Sequence, residues 1–363
     1  MTSRSLVAPT SNPLLEQALL EKIARRNHGS GSLGELEPLA VRLGLMQRTL
    51  KPRFFDPQLL VFAADHGIAV DGITAAGTQG THEVVNQIIG GRLPLAVFSR
   101  LQQIELSVVD CGVALDLPAH DRLLMRKIAH GTRNARLSSA MSVEQAHAAM
   151  RAGMEIGDKL RGNAVVLAGL GVGANESAAM VISRLGETSV RELLGPGPQI
   201  EGRASSHTLD IVKKTLARHR EVSDPIEVLA ALGGFEIAVM VGVMLMAASR
   251  RHLLLVDGMP ACAALMLASR IAQPVTDYCV FCRSQPHRGL DKTLALFHAT
   301  ALMELGLNHA DGTGATLAWP LVRSAAALLT EVAEGEDPGP SGPGQLVADE
   351  EPEPDIFPGE RLY

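Results

Sequence analysis

The sequence predicts an α/β protein whose core is a doubly wound parallel sheet. Apolar runs of strand length end abruptly in polar or glycine residues, at Asp65, Asp110, Gly169 and Asp257. Helical segments separate these runs, and 46% of the 363 residues are hydrophobic, which suffices for a large core. Since the carboxyl ends of parallel strands lie along one edge, we expect a ligand cleft there.

The first half of the chain predicts a helical lead-in and a βαβ unit. Residues 14–27 have helical periodicity, and a second helix is expected to end near Met46. The run 59–67 predicts a strand buried on both faces, and 104–109 predicts the next strand. A helix over 85–102 between them implies parallel strands joined by a right-handed crossover.

A glycine-rich loop over 169–177 follows the next predicted strand, 164–168. The amphipathic helix over 141–160, with Ser142 as its N-cap, precedes that strand. A glycine cluster between a strand and a helix suits a phosphate held on backbone N–H groups. The same glycines also suit a tight turn with positive φ, so both interpretations stay open.

The second half alternates in the same way. Helices are expected over 207–220, from Pro225 through 233–236, over 291–306 and at the end of the folded region near Val332. Strands are expected over 253–256 and 275–281. From Glu334 onward the Pro, Gly and acidic composition predicts a disordered tail.

Composition limits the partners. A net charge of −6 and a pI near 6.1, without a Lys/Arg-rich block, argue against nucleic acid and anionic membranes and favour small molecules. Four cysteines are too few for a disulfide framework. Cys279 and Cys282 have C-x-x-C spacing, but without a second pair they are expected to be core or strand residues rather than zinc ligands.

One apolar run, 228–248, is long enough to suggest a membrane helix. It contains Glu236 and three glycines, so a buried helix of an α/β protein is expected instead. The first thirteen residues have no apolar segment typical of a signal peptide, which predicts a cytoplasmic location.

Several loops together resemble the nicotinate mononucleotide:5,6-dimethylbenzimidazole phosphoribosyltransferase family of cobalamin biosynthesis. The matching stretches, in family order, are 31–34, 64–67, 126–134, 224–238, 256–258 and 312–315. The resemblance implies a Rossmann-like parallel sheet with helices on both faces, plus a small helical domain from the terminal segments. It divides the chain into 1–50 (small domain), 51–310 (large α/β domain), 311–333 (last helix of the small domain) and 334–363 (tail), and it implies a homodimer.

The activity implied by the resemblance is transfer of phosphoribose from nicotinate mononucleotide to an aromatic base such as 5,6-dimethylbenzimidazole. Nicotinate leaves, and an α-ribazole 5′-phosphate-type product forms with inversion. Such a displacement needs a phosphate cradle, a carboxylate that takes the azole proton and a dry pocket for the base. The resemblance implies no cofactor and no metal.

Two sets of site residues follow from the resemblance. Asp311 stands at the family's catalytic glutamate, although an aspartate there also suits a cap of the last helix. The expected phosphate and ribose contacts are Gly171, Gly173, Gly195, Gly197 and Ser284. Gly169 replaces a second family glutamate.

The base pocket departs most from the family pattern. The expected base contacts are Thr74, Ala76 and Glu83, where Ala76 replaces a tyrosine and Glu83 a glutamine. An ionised Glu83 would favour a base with an N–H or amino group, or it is a solvated residue on a helix face.

Asp65, His66 and Asp257 are expected to line the cleft. A hydrogen-bonded structural histidine stays open for His66. Glu236, inside an apolar helix, is expected to need a structural partner or exposure to the cleft.

Three functions stay open from the sequence. The first is a phosphoribosyltransferase of this family. The second is a catalytically weakened paralogue that binds nucleotide or base as a sensor or hetero-oligomer subunit. The third, a nicotinamide-dependent dehydrogenase, is disfavoured because the loop over 65–79 lacks a Gly-x-Gly-x-x-Gly pattern.

Overall fold

The computed structural model describes residues 6–26, 31–74, 77–194 and 203–332. Within these ranges six parallel strands form one sheet in the order β3-β2-β1-β4-β5-β6. Their bounds are β1 Gln58–Ala64, β2 Glu105–Gly112, β3 Leu123–Met125, β4 Ala164–Leu170, β5 Leu253–Asp257 and β6 Cys279–Cys282. The order reverses between β1 and β4, the position where open α/β sheets bind ligands, and the predicted fold class is confirmed.

Thirteen α-helices lie in the described ranges. Their bounds are α1 Pro13–Arg26, α2 Leu36–Gln47, α3 Thr81–Ile89, α4 Pro94–Leu101, α5 Val143–Asp158, α6 Ala174–Leu185, α7 Val190–Leu193, α8 Arg203–Arg218, α9 Pro225–Leu232, α10 Phe235–Ser249, α11 Met259–Ile271, α12 Arg288–Leu296 and α13 Thr313–Thr330. Helix α10 packs against α5 and four strands, whereas α13 packs against α1, α2 and α4 and against β5 and β6. This packing brings the N-terminus of α13 to the carboxyl edge of the sheet.

The predicted helix over 85–102 was wrong as a single element. It is two helices, because Gly90 and Gly91 follow α3 and Pro94 begins α4. The predicted helix from Pro225 through 233–236 is likewise two helices. Helix α9 ends before Gly233, whose backbone is extended, and α10 begins after it.

Two later elements are shorter than predicted. The strand expected over 275–281 begins as a 3-10 turn, Gln273–Tyr278, and only Cys279–Cys282 joins the sheet. Pro274 fixes φ and lacks an N–H, which suits a turn better than an inner strand. The helix expected over 291–306 ends at Leu296, and His298 then adopts a positive φ of 51°.

Other predictions agree with the structure. Ser142 Oγ accepts the Gln145 N–H at 3.1 Å and caps α5, as expected. Helix α10 is almost entirely buried, and no helix among the described residues is long and apolar enough to cross a membrane. Cys279 and Cys282 are buried free thiols in β6, and burial raises the pKa of both. The proposed tail from Glu334 lies outside the described residues.

Candidate functional site

The carboxyl edge of the sheet carries two clusters of buried and half-buried polar side chains. The first, here the Asp257 cluster, consists of Asp257, Ser284, Gln285 and Asp311 around the first turn of α13. The second, here the His66 cluster, consists of Asp65, His66, Glu176 and Glu236 near the glycine loop that follows β4.

Asp257 is the last residue of β5 and is fully buried. Its Oδ2 accepts the Ser284 hydroxyl at 2.7 Å and the Ala315 N–H at 3.0 Å. Ser284 Oγ in turn accepts the Gly314 N–H at 2.7 Å. The two side chains therefore satisfy backbone donors of the first turn of α13, which otherwise lack partners within the helix.

Asp311 lies one residue before the N-cap of α13 and is 8% exposed. Its Oδ1 accepts the Gln285 amide at 3.2 Å. A Cβ placed on Gly258 would fall 1.9 Å from Asp311 Oδ2, so only glycine fits beside this carboxyl. The alternative that Asp311 caps α13 is not what the structure shows, because Asp257 and Ser284 accept the helix N–H groups.

Burial is the main cause that raises the pKa of Asp311 well above its ordinary value, and the neighbouring charge of Asp257 raises it further. Burial also raises the pKa of Asp257, but hydrogen bonds from Ser284 and Ala315 oppose that rise. The two carboxyls therefore differ: Asp257 is supplied with donors that favour its ionised form, and Asp311 has one neutral amide.

In the His66 cluster, His66 Nε2 lies 3.0 Å from Glu236 Oε1, and both side chains are buried. Burial lowers the pKa of His66. The charge and hydrogen bond of Glu236, together with the charges of Asp65 and Glu176, outweigh burial, so the pKa is raised. Below this raised pKa the two side chains form an imidazolium–carboxylate pair. The structure thus favours the hydrogen-bonded alternative for His66 and gives Glu236 the partner that its burial requires.

Asp65 connects three loops at the end of β1. Its Oδ2 accepts the Ala114 N–H at 2.7 Å, its Oδ1 accepts the Thr81 hydroxyl, and its backbone oxygen accepts the Thr132 N–H at 3.0 Å. Thr81 Oγ1 also accepts the Val172 N–H at 3.0 Å, which extends the network to the glycine loop. Sequence reasoning placed Asp65 at the cleft but missed Thr81.

The glycine loop packs tightly over the end of β1. A Cβ at Gly171 would fall 1.9 Å from Ala64 O, and Gly173 has a positive φ of 89° as it opens α6. His66 N donates to Val172 O at 3.2 Å. The close contact and positive φ that the turn interpretation requires are therefore present, and phosphate binding by this loop stays a prediction.

Comparison with known proteins shows which family has this arrangement. A phosphoribosyltransferase family model matches residues 8–339. A nicotinate-nucleotide–dimethylbenzimidazole phosphoribosyltransferase of Cupriavidus taiwanensis is 40% identical over 328 residues, covering 90% of this chain and 95% of the relative. One of a Janthinobacterium species is 35% identical, covering 91% and 96%. The chain belongs to the nicotinate-nucleotide–dimethylbenzimidazole phosphoribosyltransferase family.

A solved structure supports the same assignment. The crystal structure of a nicotinate-nucleotide–dimethylbenzimidazole phosphoribosyltransferase from Thermus thermophilus matches with a TM-score of 0.84 and 28% identity. The match covers 92% of this chain and all of that one. The family resemblance read from the loops is therefore confirmed over nearly the whole described fold.

Gly169 is the clearest departure from the family pattern that the structure explains. A Cβ at this position would lie 2.4 Å from Pro260 Cβ and 2.8 Å from Pro260 Cγ. Pro260, in the first turn of α11, therefore occupies the space through which the family's glutamate side chain would leave the backbone. A glutamate at position 169 of this chain would therefore collide with Pro260.

The predicted contacts to the aromatic base differ in solvent exposure. Glu83 is exposed, and its Oε2 accepts the Gly80 N–H at 3.2 Å at the start of α3. This geometry agrees with the helix-face alternative. Thr74 is half-buried. Ala76, Gly195 and Gly197 lie outside the described residues, so their proposed contacts stay predictions.

Ser284, a predicted phosphate contact, is fully buried. Its hydroxyl hydrogen points to Asp257, so donation from this hydroxyl to a phosphate would require that bond to break. Gln285, the neighbour that contacts Asp311, was missed by sequence reasoning. The family loop at this position is out of register here, and a single glutamine gives no signal of its own.

Proposed function

We propose that this chain transfers phosphoribose from nicotinate mononucleotide to a lower-ligand base, 5,6-dimethylbenzimidazole or a related base. Nicotinate is released, and an α-ribazole 5′-phosphate-type product forms. The proposal rests on one observation about Asp311. It is a buried carboxyl at the position of the family's catalytic glutamate, and no N–H of helix α13 donates to it. The family matches supply the reaction class.

The proposed step moves one proton and exchanges one bond at C1′. The lone pair of the azole nitrogen forms a bond to C1′ while the bond from C1′ to the pyridine nitrogen of nicotinate breaks, and nicotinate leaves with that electron pair. The proton on the second azole nitrogen passes to ionised Asp311. A base whose pKa is raised towards the working pH accepts such a proton favourably.

Asp311 is one methylene shorter than the family's glutamate, so its carboxyl reaches less far from the backbone. A displacement of about 1 Å can cost on the order of a hundredfold in rate. Gly258 has no side chain that would displace Asp311, and the Gln285 amide donates a hydrogen bond to one oxygen of the Asp311 carboxyl. The carboxyl is therefore held in one position rather than left free at the surface.

The donor phosphate is assigned to the backbone N–H groups of the glycine segments at Gly171, Gly173, Gly195 and Gly197. In this proposal Thr74, Ala76 and Glu83 contact the base, while Asp65, His66 and Asp257 shape the cleft. We also propose a homodimer, as the family resemblance implies, and a cytoplasmic location. Sedimentation equilibrium tests the dimer.

Nicotinate release tests the function. The full chain is incubated with nicotinate mononucleotide and a panel of benzimidazoles, purines and phenols, and free nicotinate is followed by chromatography. Asp311→Asn is expected to abolish release, whereas Asp116→Asn, on an exposed loop, serves as the matched control and retains it. If the chain binds nicotinate mononucleotide but releases nicotinate with none of the bases, the result contradicts the proposed transferase activity and supports a weakened paralogue.

A further inference from the structure

Asp257 and Asp311 are two buried carboxyls beside the same helix terminus with different partners. Asp257 receives two hydrogen bonds and faces the N-terminal turn of α13, whose partial positive charge favours an anion. Asp311 receives one neutral amide and touches the residue next to Asp257. Pairs of carboxyls in unequal environments divide the anionic and protonated roles between them.

We propose that Asp257 and Asp311 form a charge-coupled pair of carboxyls, in which Asp257 remains the anion and Asp311 takes up and releases the proton. Asp257 is thus a positioning residue that sets the proton affinity of Asp311 without touching the substrate. This inference rests on the proposed function for the use of the proton, but the pair itself exists in the unliganded protein.

The hydrogen bonds decide which oxygen carries the proton. Gln285 donates to Oδ1 of Asp311, and a carboxyl oxygen can accept this bond in either protonation state. Oδ2, the atom beside Gly258, is left to hold the hydrogen. During the transfer Oδ2 gains the azole proton, and Asp257 keeps its charge, so the buried pair returns from two negative charges to one.

The surroundings supply no opposing charge. Among the described residues, no lysine, arginine or histidine forms an ion pair with either carboxyl. Two buried thiols sense these carboxyls. Burial is the main cause that raises the pKa of Cys262 in α11, and Asp257 and Asp311 raise it further; burial and then Asp257 alone raise the pKa of Cys282 in β6. Both thiols are neutral, so the repulsion between the two aspartates is not cancelled.

Infrared difference spectroscopy of the unliganded full chain tests the pair without turnover. The wild-type protein is expected to show the carbonyl band of a protonated carboxyl that persists above the ordinary pH range of aspartate and is lost in Asp311→Asn. Glu176, another carboxyl with a raised pKa, contributes its own band, so spectra are referenced to Asp311→Asn.

The decisive variant is Asp257→Asn, whose amide oxygen can still accept from Ser284 and Ala315. It removes the neighbouring negative charge, and the Asp311 band should titrate lower by at least about one pH unit. Asp110→Asn, which removes a buried carboxyl paired with Lys127 at the end of β2, is the matched control and should leave the band unchanged. An unshifted band in Asp257→Asn, or a band that survives Asp311→Asn, overturns the proposal.

A second variant is expected to shift the titration of the Asp311 band in the opposite direction, and it keeps the proposal testable if Asp257→Asn does not fold. Gln285→Leu removes the one donor to ionised Asp311, so the Asp311 band should titrate at higher pH. A shift to lower pH, or no shift, contradicts the proposed arrangement. In turnover, the acidic limb of kcat/KM for nicotinate release should move in the same directions. If release is absent but the infrared shifts are present, the function fails and the pair stands.

Discussion

His66 Nε2 lies 3.0 Å from Glu236 Oε1 across the end of β1, with 2% and 0% of the two side chains exposed. The other carboxylate oxygen of Glu236 has no hydrogen-bond partner among the described residues. A buried charge pair of this kind contributes little net energy when intact, but either partner alone is costly. The pair therefore fixes the loop after β1 against α10.

The first prediction is that Glu236→Gln lowers the free energy of unfolding at pH 6 by about 1–3 kcal/mol, because buried His66 must then either release its proton or stay charged without a carboxylate partner. Urea denaturation followed by circular dichroism measures the change. Glu227→Gln, an exposed glutamate in the first turn of α9, is the matched control and should change stability by less than about 0.5 kcal/mol. Equal effects of the two changes would contradict a structural role for the pair.

The second prediction concerns the pH dependence of this pair. The folded pKa of His66 is raised above the ordinary value of 6.5, so the folded state keeps a proton that the unfolded chain releases. The stabilisation is complete below pH 6.5 and is lost as pH rises through the folded pKa. Unfolding free energies measured from about pH 6 upward should therefore fall more steeply for the wild type than for Glu236→Gln. Parallel curves would show that His66 is neutral in the fold.

The sheet could be predicted from the sequence because the central strands are apolar runs with a polar or glycine end, interrupted only in β2 by Glu105 and Ser107. The runs that became β1, β2, β4 and β5 needed no knowledge of distant contacts. Strand β3, Leu123–Met125, has three residues and no periodicity, and it was missed. Helix α11 was missed as well, although Gly258 followed by Pro260 is a typical start of a helix.

The site was less accessible to sequence reasoning because its contacts join distant segments. Asp311 was placed correctly beside the last helix, but the Ala315 N–H of that helix is capped by Asp257, 58 residues away in the chain. A local pattern favours capping by the nearest carboxylate, and only the tertiary structure shows that another one takes the bond. Likewise, a missing glutamate at Gly169 is visible in the sequence, but its steric counterpart Pro260 is not.

The third prediction is that restoring the family's glutamate with Gly169→Glu will not restore a family-like site. Its Cβ would overlap Pro260, and overpacking of this kind costs about 1–3 kcal/mol. Thermal unfolding should show a lower Tm for Gly169→Glu than for the wild type. The double variant Gly169→Glu/Pro260→Gly removes both overlapping atoms, Pro260 Cβ and Cγ, and should recover part of the loss. A single variant as stable as the wild type would show that the loop has room.

The fourth prediction tests the network at Asp65. Thr81→Val removes the hydroxyl that donates to Asp65 and accepts the Val172 N–H. Two half-buried groups then lose this partner, at a cost of about 1 kcal/mol. Since Val172 lies in the proposed phosphate loop, the KM for nicotinate mononucleotide should rise more than kcat falls. Thr215→Val, whose hydroxyl bonds within α8, is the matched buried control. An unchanged KM would separate this network from donor binding.

The last prediction tests whether Asp311 needs the space at Gly258. Gly258→Ala places a methyl group 1.9 Å from Asp311 Oδ2 and also strains a backbone with φ of 93°. The displaced base should slow nicotinate release on the order of a hundredfold. Gly306→Ala is the control for a positive-φ glycine away from Asp311, because no atom lies within 4 Å of its added Cβ. Gly258 has φ 93° and ψ 168°, a backbone that essentially only glycine adopts, so thermal unfolding is measured beside release for both variants. Slower release by Gly258→Ala that remains folded assigns the effect to the position of the Asp311 carboxyl, whereas full release by the folded variant contradicts it.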